Sequence, residues 1–221
     1  MLDKNIRQRI IALIQREVVP AVGCTEPIAV ALCTARATET LGCRPEKITA
    51  LLSANILKNA MGVGIPGTGM IGLPIAIALG AIVGKSEYEL EVIKDVTPET
   101  LEEGKKYVDE KRIDIKLKSD ITEKLYIDVI CEAAGHKAEA VIAGSHTNFV
   151  YVSKDGETLL DVKKTSGEDG EQGDPELCMR TVYDFATTTP LNEIAFILKT
   201  KQYNIKAAEE SIKGNYGHCL G

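Results

Sequence analysis

The chain has 221 residues, a formal charge of −6, 44% hydrophobic residues, 5% aromatic residues and no Trp. It is long enough to bury a core, which must be built from Ile, Val, Leu and Ala. An acidic chain without a basic stripe excludes nucleic acid as a partner, because such binding requires phosphate neutralisation.

Six cysteines, at 24, 33, 43, 131, 178 and 219, form no CxxC pair. That excludes a zinc ribbon and a thioredoxin-like motif. Residues 1–11 carry charge throughout and contain no apolar run of secretory type. The chain therefore reads as cytoplasmic, with reduced thiols, and Cys33, Cys131 and Cys178 read as small buried hydrophobes. No charge occurs between Lys58 and Lys85, a length that can cross a bilayer. However, seven glycines (62, 64, 67, 69, 72, 80 and 84) with Pro66 and Pro74 interrupt it. Only residues 71–83 remain as one helix of buried-core length, so no membrane span is expected.

In chain order, Ile6, Ile10, Leu13, Ile14 and Val18 recur at helical spacing and predict an amphipathic helix, ended by Pro20 and Gly23. A second helix is expected from Thr25, as cap, through Pro27 to Leu41, with Gly42 as its stop. Residues 47–53 read as a short strand and 55–61 are ambiguous. A glycine loop at 62–69 precedes the buried helix. Residues 87–96 read as a strand on the alternation of Tyr88, Leu90 and Val92, and Thr97-Pro98 opens a helix to about Glu110. Strands are expected at 113–117, 125–131, 138–143, 149–153 and 159–162, with a hairpin at Asp155-Gly156. Residues 164–174 are polar and glycine-rich and read as a linker. Helical patterns return at 175–187, 190–199 and 205–212. The expected fold is α+β: a helical domain (1–86 and 175–221) interrupted by a small α+β insert (87–163).

Three segments can hold chemistry. In residues 20–27, Cys24 directly precedes a helix amino terminus, where free N–H groups and the dipole favour thiolate, while Glu26 opposes it. The alternative is that Cys24 merely packs at a helix start. In residues 53–69, a helical reading of 55–60 places Asn55, Lys58 and Asn59 on one face, beside a loop whose N–H groups can form an anion nest. The alternative there is a solvated face and an ordinary turn. Gly62, Gly64 and Gly67 also match the dinucleotide pattern G-x-G-x-x-G, but no clear strand precedes them and Pro66 sits where a helix should wind. The third segment is the histidine set. His136 and His146 bracket a strand and are too far apart to argue a metal pair, and His218 adjoins Cys219.

Four segments, residues 20–32, 53–69, 90–99 and 213–218, fall in an order that closely resembles the L-cysteine desulfidase family, related to the alpha chain of bacterial L-serine dehydratase. The resemblance spans essentially the whole chain. It implies an oxygen-sensitive 4Fe–4S cluster held by three cysteines, with one iron open to substrate. Cys24 matches the amino-terminal cluster ligand of that family. Asn55, Lys58 and Asn59 match its N-I-x-K-N pattern and are implied in substrate binding, with Lys58 as a base if desolvation lowers its pKa. Thr68 either binds substrate or shapes the turn. The implied reaction is β-elimination: a base takes the α-proton, sulfide leaves, and the aminoacrylate hydrolyses to pyruvate and ammonia. Serine with a hydroxyl leaving group is the alternative substrate, and a non-catalytic domain that binds an amino acid or a partner chain is the alternative role. Family members are about twice as long, so a carboxyl-terminal half with the remaining cluster cysteines is expected to be missing here. Self-association through the face left exposed is expected as well.

Overall fold

The computed structural model describes residues 2–162 and 174–214. In chain order these form α1 (Lys4–Glu17), α2 (Thr25–Leu41), β1 (Lys47–Leu52), α3 (Ala54–Ala60), β2 (Gly64–Ile65), β3 (Met70–Ile71), α4 (Leu73–Ile82), α5 (Pro98–Asp109), β4 (Ile113–Leu117), β5 (Tyr126–Ala133), β6 (His136–Ala143), β7 (Phe149–Lys154), β8 (Glu157–Asp161), α6 (Met179–Thr188), α7 (Leu191–Ile194) and α8 (Leu198–Lys213). The fold is α+β. It divides into two compact units, Met1–Pro20 with Gly167–Gly221, and Ala21–Ser166.

The larger unit is built on a six-stranded sheet of order β4-β1-β5-β6-β7-β8. Strands β1 and β4 are parallel and every other neighbour is antiparallel. The parallel pair requires a long crossover, which α3, α4 and α5 supply. Alternation sets the buried face: Ile48, Ala50 and Leu52 of β1 and Ile127, Val129 and Cys131 of β5 are all buried. Two hairpins turn through paired positive φ angles, Ala134-Gly135 (51° and 80°) and Asp155-Gly156 (49° and 87°), which match the right-handed twist of the strands.

Helix α2 is covered on all sides. Pro27 through Ala35 are buried without interruption, because the sheet packs on one side and α4 on the other. The approach of α2 and α4 depends on small residues. A Cβ on Gly80 would lie 2.5 Å from the carbonyl oxygen of Ala31, and one on Gly84 would lie 2.7 Å from the Cβ of Ala35. Helix α4 is ten residues long. Among the described residues, no helix is long and apolar enough to cross a membrane.

Three expectations are corrected. The domain boundary does not fall at residue 86: β1 lies between β4 and β5, so residues 47–52 share one sheet with the expected insert, and the break comes after Pro20 instead. Residues 87–96 are not a strand. They form a 3-10 turn at Ser86–Glu91 followed by local bonds such as Val92 N–H to Glu89 O, and no strand among the described residues pairs with them. Their alternation is real as burial, since Leu90 and Val92 both enter the core. Finally, α6 begins at Met179 and the 190–199 pattern splits into α7, a 3-10 turn at Ala195–Ile197 and the start of α8.

The smaller unit contains α1, α6, α7 and α8. Asp3 caps α1 by accepting the N–H groups of Asn5 and Ile6. Ile10, Ile11 and Phe185 form its buried apolar cluster, and Arg7 binds Glu193 at 3.0 Å. Arg16 binds Asp174, the one described residue of the expected linker, at 2.8 Å. The rest of that linker, and His218 with Cys219, lie outside the described residues.

Candidate functional site

The start of α2 is where distant parts of the sequence meet. The N–H of Val22 donates to the carbonyl oxygen of Leu90 at 3.0 Å. Gly23, at φ 80°, lies so close to the glycine loop that a Cβ would sit 2.7 Å from Cγ of Pro66. Only glycine meets both the positive φ and that contact. Cys24 follows as the residue that caps α2, although its thiol makes no capping bond; Thr25, expected as the cap, is the first helical residue.

The thiol is instead engaged by Glu26. Cys24 Sγ donates to Glu26 Oε2 at 3.0 Å and Thr25 Oγ1 donates to the same oxygen at 3.3 Å. Asn59 Nδ2 donates to Glu26 Oε1 at 3.2 Å. Both carboxylate oxygens are thus occupied, and the hydrogen bond from Cys24 is the largest cause holding Glu26 below the usual carboxylate range. The reciprocal effect pushes Cys24 up, through burial first and then the Glu26 hydrogen bond. The site therefore rests as a thiol beside a carboxylate, and the helix terminus does not prevail over Glu26.

Helix α3 forms as the 55–60 pattern allows, capped by Ser53, whose Oγ accepts from Ile56 N–H and donates to Lys124 O at 2.8 Å. Asn55, Lys58 and Asn59 share its exposed face. Of the three, Asn59 is joined to the Cys24–Glu26 pair. Asn55 and Lys58 make no hydrogen bond with the described residues, and both are exposed. The glycine loop is the β2–β3 hairpin. Thr68 is buried within it, donating to Ile65 O at 2.7 Å and accepting from Met70 N–H at 3.0 Å. Its hydroxyl shapes the turn. The dinucleotide pattern falls on this hairpin, with helix α3 rather than a strand before it, so it lacks the strand–loop–helix context that binds a pyrophosphate.

The other cysteines divide by environment. Cys33 and Cys131 are buried, and burial raises both thiols, Cys131 to about 12. Cys178 corrects the expectation of burial. It is exposed at the start of α6, accepts from Thr181, and is lowered by those bonds. His136 pairs with Asp155 at 2.8 Å across a hairpin, while His146 makes no hydrogen bond with the described residues. No group of three or more His, Cys, Asp or Glu among the described residues is disposed to hold a metal ion. Cys24 is partly exposed at a helix start, where a cluster ligand would stand, and its thiol is engaged by Glu26. The described residues do not furnish the rest of a ligand set.

The chain is similar along its full length to UPF0597 proteins. One from Bacteroides fragilis is 69% identical over 220 residues, covering 100% of this chain and 51% of the relative. One from Parabacteroides distasonis is 57% identical, covering 99% and 51%, and one from Photobacterium profundum is 41% identical, covering 100% and 52%. The chain spans about half the length of these relatives, and their names state no activity. No family model matches the chain, and no solved structure matches it.

What sequence reasoning missed is the hub. Glu26 stood out only as a charge opposing a thiolate, yet it joins Cys24, Thr25 and Asn59. An acid two residues after a helix-start cysteine was visible. Its bond to Asn59, 33 residues away, had no local mark.

Proposed function

We propose that this chain is part of an iron–sulfur-dependent lyase that converts L-cysteine to pyruvate, ammonia and sulfide, with Cys24 as one cluster ligand. The observation that supports this reading most is the meeting of three of the four resembling segments at Cys24. Val22 binds Leu90, Gly23 abuts Pro66, and Glu26 binds Asn59. When bound, a 4Fe–4S cluster with an open iron supplies Lewis acidity toward the substrate.

The residues of this chain do the remaining work. Glu26 sits 3.0 Å from the thiol and is placed to relay its proton to solvent where Cys24 would become a ligand. Asn59 and Thr25 keep that carboxylate aimed at Sγ. Asn55 and Lys58, on the exposed face of α3, offer an amide and an ammonium to the substrate carboxylate. Lys58 becomes a base only where other protein surface covers and desolvates it. The remaining cluster cysteines then come from sequence outside this chain.

The test uses the Bacteroides fragilis relative with its matching segment replaced by this chain, reconstituted with iron and sulfide without oxygen. Release of sulfide and pyruvate from L-cysteine is expected, and Cys24→Ala should lose both turnover and the visible absorption of the cluster. A variant retaining both would remove Cys24 from the ligand set. Turnover of L-serine alone would assign a serine dehydratase part. Inactivity toward both would favour a domain that binds an amino acid or a partner chain.

A further inference from the structure

Helix α8 has 16 residues, none of them buried. A helix of this length is marginal in water unless an apolar face is packed. Such a face exists. Leu198, Ile205 and Ile212 recur every seven residues and are 65%, 41% and 86% exposed. Seven residues bring an α-helix back to nearly the same direction, so the three form one stripe, which Ala208 continues between the last two. This is the pattern of a helix that lies in a groove or against another helix. The stripe is not compensated elsewhere in the smaller unit. That unit buries Ile10, Ile11 and Phe185 while exposing Met179, Tyr183 and Leu191 at 85%, 66% and 81%. Exposed apolar surface of that extent marks an interaction site.

The length of the relatives indicates the occupant. The Bacteroides fragilis, Parabacteroides distasonis and Photobacterium profundum proteins match essentially all of this chain with only 51–52% of their own length. In each of them an equal length of polypeptide accompanies the part that this chain matches. We infer that the Leu198–Ile205–Ile212 stripe is the docking seam for that accompanying half. The seam takes apolar side chains from it, and the lysines beside the stripe (199, 201, 206 and 213) favour an acidic rim on the occupant. The inference stands apart from the lyase reading, because its test reads protection of the backbone and not turnover.

The experiment compares hydrogen exchange of α8 in the 221-residue chain and in the full-length Bacteroides fragilis chimera that contains it. Amides of α8 are expected to exchange rapidly in the chain alone and at least tenfold more slowly in the chimera. Replacing Leu198, Ile205 and Ile212 together by Glu should abolish that protection while peptides from α1 and α6, which belong to the same unit as α8, keep their exchange, which separates lost docking from lost folding. Ala207→Glu, on the exposed face of α8 opposite the stripe, should leave the protection in place. Unprotected α8 in the chimera would overturn the inference, as would protection that survives the triple substitution. Protection in the chain alone that rises with concentration, with dimers in sedimentation, would assign the stripe to a second copy and overturn it too.

Discussion

The proton at the Cys24–Glu26 pair is settled by two atoms 3.0 Å apart. Glu26 is held ionised because it accepts from the thiol, a hydroxyl and an amide, and the same contact makes thiolate formation harder at Cys24. Glu26→Gln should therefore speed alkylation of Cys24 by iodoacetamide near neutral pH, by roughly severalfold, since burial still opposes the thiolate. An unchanged or slower rate, read by mass spectrometry of the Cys24 peptide, would mean that Glu26 does not restrain the thiol. A second residue-scale expectation concerns Asp128 on the other side of the sheet. Its Oδ2 accepts from Lys118 at 3.2 Å while its buried Oδ1 has no hydrogen-bond partner among the described residues. Burial first, then Glu139, raises it above its ordinary 3.8, against Lys118. The folded state thus keeps a proton that the unfolded chain has already lost. The contribution is full below 3.8 and declines as pH rises through the higher folded value. Denaturant titrations between about pH 4 and pH 7 should show wild type losing stability relative to Asp128→Asn as pH increases. Parallel curves would show that Asp128 titrates as an ordinary carboxyl.

Among the elements, the α2–α4 contact is the least forgiving. Gly80 lets Ala31 approach so closely that a methyl group would lie 2.5 Å from a backbone oxygen, which cannot swing aside as a side chain can. Gly80→Ala should cost about 1–3 kcal/mol by forcing the helices apart, seen as a lower denaturation midpoint. An unchanged midpoint would mean that the two helices slide without penalty. At this scale much of the fold was legible. Gly42 stops α2 in the left-handed conformation at φ 86°, Thr97 and Pro98 open α5 with a capping box, and Asp155-Gly156 turns β7 into β8. Each is a local device whose stereochemistry needs no partner element. The 86–91 segment was not legible, because alternating burial at Leu90 and Val92 arises both in a strand and in a turn pressed on a core. Only the presence of a neighbouring strand distinguishes the two.

At the scale of the whole chain, the two units differ in what they bury. The larger has a continuous core from Ile28 through Val152, whereas the smaller clusters Ile10, Ile11 and Phe185. Opening free energy follows buried apolar contact. In the 221-residue chain, amides of α1 and α6 should therefore exchange well before those of α2 and β5. Co-exchange of all four elements would show a single cooperative unit instead. Sequence by itself determined the α+β class, most of the helices and strands apart from 87–96 and the 175–199 pattern, and the position of Cys24 at a helix start, and it offered the shared face of Asn55, Lys58 and Asn59 on a helical reading of 55–60; these follow from periodicity and local caps. Tertiary structure alone decided that β1 joins the sheet of the expected insert and that Glu26 links Cys24 to Asn59. Those outcomes depend on which surfaces meet across tens of residues, and no short-range pattern encodes such a meeting.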